Sequence, residues 1–226
     1  MLTANAGVIL AFGENGPVYG IDALHDTKAG EFSSLAGEQI KNTFAFLDRT
    51  PPEALLITHD HPDHCSVKLL EQAAGRYPDC RIIRPWAERK NRNIIYTVNG
   101  RSIAALSLPH RHAPDYPEAD NDGFVMEVEG KTVFAPGDAE PTSGEMRKIV
   151  QDFHPDVAVL PFLWVTLSGC RKVLDQLAPK NTVFVHLPFE EEDEYGYNRA
   201  ALTDSRRFCS ASAVLNRHMQ TVSFEL

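Results

Sequence analysis

The 226-residue chain predicts two mixed β-sheets packed as a sandwich, with helices on the outside. Three observations point there. Short strand-like runs are joined by tight-turn signals, which makes antiparallel hairpins. Other strand-like runs alternate with helical periodicity, which makes parallel β-α-β units. The order β-β-α-β-α opens the chain and returns loosely from residue 94 or 123, so the sandwich reads as duplicated.

The elements follow in order. Gly7–Phe12 and Val18–Asp22 are expected as strands, with Gly13-Glu14-Asn15-Gly16-Pro17 as the turn between them. Residues 34–48 are expected as a helix, because Leu35, Ile40, Phe44 and Leu47 fall near one face. Pro51-Pro52 stops it. Ala54–Thr58 is a short apolar strand. A helix over Ser66–Arg76 follows, with Val67, Leu70 and Ala74 on one side, and then strand Cys80–Ile83. Ile94–Val98 and Ser102–Leu108 flank Asn99-Gly100, a type I′ turn signal. Gly123–Val128 and Thr132–Ala135 flank Glu129-Gly130-Lys131. Helices near 143–153, over 168–178 and within 198–216 then alternate with strands Val157–Leu160, Thr182–Val185 and Met219–Glu225.

Composition bounds the function. Hydrophobic residues at 43% and charged residues at 23% suffice for one ordinary core. No low-complexity linker divides the sequence, so residues 1–226 read as a single domain. A net charge of −9 argues against nucleic-acid partners, which need clustered Lys and Arg, and against anionic membranes. Cys65, Cys80, Cys170 and Cys209 are widely spaced without a CxxC, as expected of reduced thiols in a cytoplasmic protein. Ala4-Asn5-Ala6 faintly resembles a signal-peptidase site, but no basic and apolar regions precede it. No apolar run approaches the roughly 20 residues of a membrane span.

Four expected strands end in side chains able to ligate a metal. Ile57-Thr58 runs into His59, and Leu106-Ser107-Leu108 runs into Pro109-His110-Arg111-His112. Phe134-Ala135-Pro136 runs into Gly137-Asp138, and Phe184-Val185 runs into His186. Strands that share a direction place such ends at one edge, where α/β architectures build their sites. Within "THDHPDHC", His59 and His61 are two apart, so in extended chain they point the same way and can meet one ion at about 2.0–2.1 Å. Asp63 and His64 fall where the loop turns into a helix and can face a second ion. Capping that helix is the structural alternative for Asp63.

On these residues the chain resembles the metallo-β-lactamase superfamily of metal-dependent hydrolases. "THDHPDH" matches its H-x-H-x-D-H signature, and "GVILAFG…VYGIDAL" is similar to its opening hairpin, ending in Asp22. "GFVMEVEGKTVFAPGD" and "TVFVH" are similar to the segments that end in its bridging aspartate and last histidine. The resemblance implies a four-layer αββα sandwich with a dinuclear site at one edge. It implies a first ion on His59, His61 and a histidine from 110 to 112, a second on Asp63, His64 and His186, and Asp138 as the bridge. The Gly-His-Thr of many members is missing. "LPHRH" is more similar to the Pro-x-Arg-His of the phospholipase-D-like and ascorbate-6-phosphate-lactonase-like branch. That favours His112 as the ligand, with His110 and Arg111 contacting substrate, although i and i+2 positions are not separable by geometry.

The implied activity is hydrolysis of a small ester, lactone or phosphodiester by a metal-bridging hydroxide. Asp63 and Asp138 would be the catalytic carboxylates, and a small molecule the partner. The cofactors implied are two divalent metal ions, zinc first, with manganese or iron also suited to such donors. A non-catalytic metal-binding member and an iron-dependent oxidoreductase of the same fold are the alternatives. The H-x-H spacing, in place of the His-x-Glu of di-iron redox members, favours hydrolysis. Asp22 is expected to support the centre from behind. Cys65 is expected to pack, Trp164 to pack or line the pocket, and residues 189–198 to form a solvated loop with Tyr195 and Tyr197 as possible pocket walls. His25, His154 and His218 have no evident partners in the sequence.

Overall fold

The computed structural model describes residues 1–85, 92–112 and 119–225. Strands β1 (Val8–Ala11), β2 (Val18–Ile21), β3 (Ala54–Leu56) and β4 (Arg81–Ile83) form one sheet in chain order. β1 and β2 are antiparallel, and β2, β3 and β4 run parallel. The second sheet runs from β5 (Ile94–Val98) through β6 (Arg101–Pro109), β7 (Asp120–Val128), β8 (Lys131–Ala135), β9 (Val157–Pro161) and β10 (Asn181–Val185) to β11 (Ser212–Val214). β5 to β8 form an antiparallel meander, and β8 to β11 run parallel.

Helices α1 (Glu38–Arg49) and α2 (Val67–Arg76) link the parallel strands of the first sheet. Helices α3 (Gly144–Asp152), α4 (Leu163–Thr166), α5 (Ser168–Leu177) and α6 (Tyr197–Phe208) link those of the second. The layering follows from side-chain alternation along the strands. In β3, Ala54 and Leu56 face the other sheet while Leu55 faces outward. In β10, Val183 and Val185 face inward while Phe184 faces outward. Three apolar layers result: one between the sheets, one under α1 and α2, and one under α3 to α6. This is the αββα sandwich. The expected repetition is present from residue 120: an antiparallel pair, then parallel strands reached through helices, as in the first sheet. The β5–β6 hairpin is added at the edge.

The turns obey local chemistry. Asn99 and Gly100 have φ of 48° and 78°, the left-handed pair of a type I′ turn. Glu129 and Gly130 repeat it at 52° and 73°, and Lys131 already pairs with Val128 in the ladder. Ser66 caps α2 by accepting from Leu69 N, so Asp63 is not the cap.

One expectation fails, and one short helix is additional. Residues 219–225 do not form a strand; the last strand is β11, beside β10. The apolar alternation there is satisfied by packing, since Val222 and Phe224 cover the inter-sheet core. The four-residue helix α4 was not foreseen, because it is too short to show periodicity. Among the described residues, no helix is long and apolar enough to cross a membrane, and all four cysteines are free.

Strand directions fix the site. β2, β3, β6, β8 and β10 all end at the same edge of the sandwich, because β6 and β8 each run antiparallel to β7. Their carboxyl ends deliver Asp22, the 58–64 loop, His110, Asp138 and His186.

Candidate metal centre

Thr58 and Asp22 form the back of the site. Asp22 is buried with φ of 47°. Its carboxylate accepts from Thr58 N at 2.8 Å, Thr58 Oγ1 at 2.6 Å and His64 Nδ1 at 2.8 Å. His59 Nδ1 lies 3.0 Å from Thr58 Oγ1 and donates to it. One carboxylate thereby orients two imidazoles, each held through Nδ1 with Nε2 left for the front. His110 is held the same way, with Nδ1 donating to Arg111 O at 2.6 Å.

Three groups of donor atoms meet in front of this support. They are His59, His61 and His110; His59, His64 and Asp138; and Asp63, His64 and His186, each group within 4.8 Å. His186 Nε2 stands 3.1 Å from His64 Nε2 and 3.1 Å from Asp138 Oδ2. Asp63 Oδ2 stands 3.8 Å from His64 Nε2 and 3.7 Å from His186 Nε2. Ligand atoms about 2.0–2.1 Å from one tetrahedral ion stand roughly 3.4 Å apart, so the spacing suits a metal.

Burial gives an independent test. His59 Nε2, His110 Nε2 and Asp138 Oδ1 are buried with no hydrogen-bond partner. Native proteins rarely leave such atoms unsatisfied, and cations held by the two groups that contain them, His59–His61–His110 and His59–His64–Asp138, would satisfy them. Electrostatics agree. Burial and the neighbouring His64 hold His59 well below the usual histidine range, as a neutral ligand. Burial pushes the Asp138 carboxyl up, but His186 and His64 outweigh it and keep the group ionised. For His64 burial opposes protonation, yet Asp138, Asp22 and Asp63 draw it well above the ordinary value. That protein-only balance is what a cation would replace.

Seven of the expected residues meet at this centre: His59, His61, Asp63, His64, His110, Asp138 and His186. His110 joins as a donor, whereas it was expected to touch substrate. His112, expected as the ligand, is exposed and stands outside the gathered donors. The reason is register. His110 still forms a β-bridge with Ala139, so the edge of the sheet carries it level with Asp138, and His112 lies beyond.

Two supports escaped the sequence. Asn5 has φ of 42°, donates Nδ2 to Asp63 Oδ2 at 3.2 Å and accepts from His186 N at 2.9 Å. Asn121 holds the turn before Asp138, donating to Pro136 O at 3.0 Å and accepting from Asp138 N at 3.1 Å.

The remaining candidates divide. Trp164 both packs in the outer core and lines the cavity in front of the donors. Cys65 packs under α2, and burial pushes its thiol up to about 11. Tyr195 is exposed, and Tyr197 donates to Glu31 at 3.1 Å; neither lines that cavity. His25 sits fully buried behind the site with Nε2 3.0 Å from Ala4 O. His154 and His218 donate to Leu177 O and Thr3 O.

Comparison with known proteins agrees with this geometry. A family model described as a beta-lactamase superfamily domain matches residues 32–186, more than half of the chain. The fold is similar to that of Igni18, described as a novel metallo hydrolase from the archaeon Ignicoccus hospitalis, at 18% identity and TM-score 0.65, covering 100% of this chain and 97% of that one. It is similar to YhfI of Bacillus subtilis, a metallo-beta-lactamase fold protein, at 10% identity and TM-score 0.61, covering 96% and 90%. It is also similar to CmlA of Streptomyces venezuelae, a diiron beta-hydroxylase, at 15% identity and TM-score 0.57, covering 96% of this chain and 52% of that one. At such identities the likeness concerns the fold. A search of curated proteins gave no match. With the domain match, the αββα layering and the strand-end donors in agreement, the chain belongs to the metallo-β-lactamase superfamily.

Proposed function

We propose that this chain is a dinuclear metal-dependent hydrolase of a small ester, lactone or phosphodiester. The observation that carries the reading is that the buried, unpartnered atoms His59 Nε2, His110 Nε2 and Asp138 Oδ1 belong to two donor groups that share His59, with His110 and Asp138 lining the adjoining cavity. His59, His61 and His110 would hold one ion; Asp63, His64 and His186 would hold the other, with Asp138 between. Divalent ions bound there supply Lewis-acid chemistry, bringing water towards deprotonation at neutral pH and polarising the bond to be broken.

The chain's own residues do the rest. Asp22 and Thr58 keep His59 and His64 in the tautomer with Nε2 forward. Asn5 aims the Asp63 carboxylate. Asp138, kept ionised by His64 and His186, supplies negative charge between the two donor groups. The cavity has a volume of about 290 Å³, which fits a small substrate. Imidazole and carboxylate donors suit zinc, and also manganese or iron.

The test is metal content by elemental mass spectrometry on protein purified without chelator or metal-affinity tag, followed by a panel of lactones, esters and phosphodiesters. About two equivalents of zinc or manganese per chain with hydrolysis of one class is the expected result. Redox-active iron without hydrolysis would replace this reading with the oxidoreductase alternative. Absence of bound metal after dialysis against zinc or manganese would overturn it.

A further inference from the structure

The cavity in front of the donors is two-sided in chemistry. Phe32, Leu163 and Trp164 give it apolar walls, while Arg111 brings a cationic donor and His112 an imidazole. Phe32 sets its ring edge-on to His186, with centroids 4.3 Å apart, so the apolar surface reaches the donor cluster itself. Arg111 is the single Lys or Arg among the described residues that line the cavity.

The backbone of Arg111 is fixed. Its N–H donates to Asp138 O at 2.8 Å, and Glu140 N–H donates to Pro109 O at 2.8 Å, with the His110–Ala139 bridge between them. This short ladder seats Arg111 next to one donor, His110, and beside another, Asp138. The residue is partly buried, and among the described residues no carboxylate pairs with its guanidinium. The carboxylates that line the same cavity are engaged elsewhere: Asp138 by His186 and His64, and Asp63 by Asn5. Glu140, on the adjoining turn, accepts from Thr142 N and Oγ1. A planar five-donor cation that lines a cavity and pairs with no carboxylate among the described residues matches an oxyanion, which it can grip with two parallel bonds.

We propose that the substrate is a small, largely apolar molecule carrying an oxyanion, and that Arg111 binds that oxyanion while the scissile bond lies over the donor cluster. This rests on the hydrolase reading above and narrows its substrate class. Recognition is by contact, not by long-range attraction, because the chain's net charge of −9 repels anions at a distance.

The experiment compares a neutral ester, p-nitrophenyl butyrate, with a charged one, mono-p-nitrophenyl glutarate, on the metal-loaded protein and its Arg111→Gln and Arg111→Lys variants. The expected result is a wild-type preference for the charged ester that Arg111→Gln reduces on the order of 10- to 100-fold in relative kcat/KM, through KM. Arg111→Lys recovers only part, since an ammonium lacks the fork. Unchanged metal content in the variants shows that the centre is intact. An equal charged-to-neutral ratio in wild type and Arg111→Gln would overturn the proposal. Failure to cleave either ester counts against the hydrolase reading for these bonds, and calorimetry with benzoate and phenyl phosphate then decides the subsite alone. Binding of either anion that Arg111→Gln abolishes supports it and tells carboxylate from phosphate. No binding, or binding that Arg111→Gln leaves unchanged, overturns it.

Discussion

His64 and His186 bring their Nε2 atoms to 3.1 Å although 122 residues separate them in the chain. One comes from the helix-leading loop after β3, the other from the end of β10. His64 is locked from behind by Asp22, and His186 is anchored through its backbone N–H to Asn5 O. The closeness of the two nitrogens is therefore built into both sheets.

Asp22 is the first place to test that construction. Its carboxylate accepts three hydrogen bonds in a buried setting. Asp22→Asn keeps the shape and tolerates the positive φ, but its amide cannot accept from all three donors. Metal affinity is expected to fall about 10- to 100-fold. Asp22→Ala is expected to cost stability as well, about 2 kcal/mol or more, through donors left buried and unpaired. Competition with a chelating dye and urea denaturation measure the two effects separately.

His110 and His112 separate by elemental analysis. His110→Ala removes one of three gathered imidazoles and is expected to lose one of the two ions, with the His59–His61 group emptied first. His112→Ala leaves the gathered donors untouched and is expected to keep both. Equal metal loss in the two variants would overturn the assignment of His110, rather than His112, to the donor group.

Gly137 tests the packing behind the Asp138 carboxylate. Its φ is 59°, and an added Cβ would lie 2.5 Å from Asn121 Oδ1 and 2.6 Å from Thr58 Cβ. Gly137→Ala must displace either the Asn121 clamp on Asp138 or the residue that orients His59. A loss of about 2 kcal/mol or more in thermal or urea unfolding is expected, together with weaker metal binding.

His25 predicts a pH effect. Burial depresses its pKa from 6.5 to about 4 in the folded chain, against the opposing hydrogen bond to Ala4 O. Between those values the unfolded chain binds a proton that the folded chain does not. Its contribution is therefore complete above about pH 6.5 and is lost as pH falls towards 4, by roughly 3 kcal/mol in all. His25→Gln keeps a donor for Ala4 O without a titrating ring. The slope of unfolding free energy between pH 6.5 and 4 should be shallower in this variant than in wild type.

Much of this was readable because the chemistry is local in sequence. His59, His61, Asp63 and His64 sit within one loop, and the apolar strands before Asp138 and His186 mark both as strand ends. The i and i+2 pair His110 and His112 was not separable, because what sets their positions apart is a β-bridge from His110 to Ala139, 29 positions away. Asn5 was out of reach for the same reason: its hydrogen bonds go to Asp63 and His186, and nothing near it in sequence predicts them. Residues 219–225 were not separable from a strand, since apolar residues two apart, Val222 and Phe224, also suit a coil segment lying over an apolar face.

The repeated topology has a mechanical consequence. The two donor groups draw on both sheets, so an ion joining His64 to His186 would cross-link the chain around a loop of 122 residues. Closing a loop of about 100 residues removes unfolded-state freedom worth roughly 5 kcal/mol in the chain-entropy picture. The centre would then serve as a clasp between the two halves of the sandwich, holding them together even across a cut in the backbone that joins them.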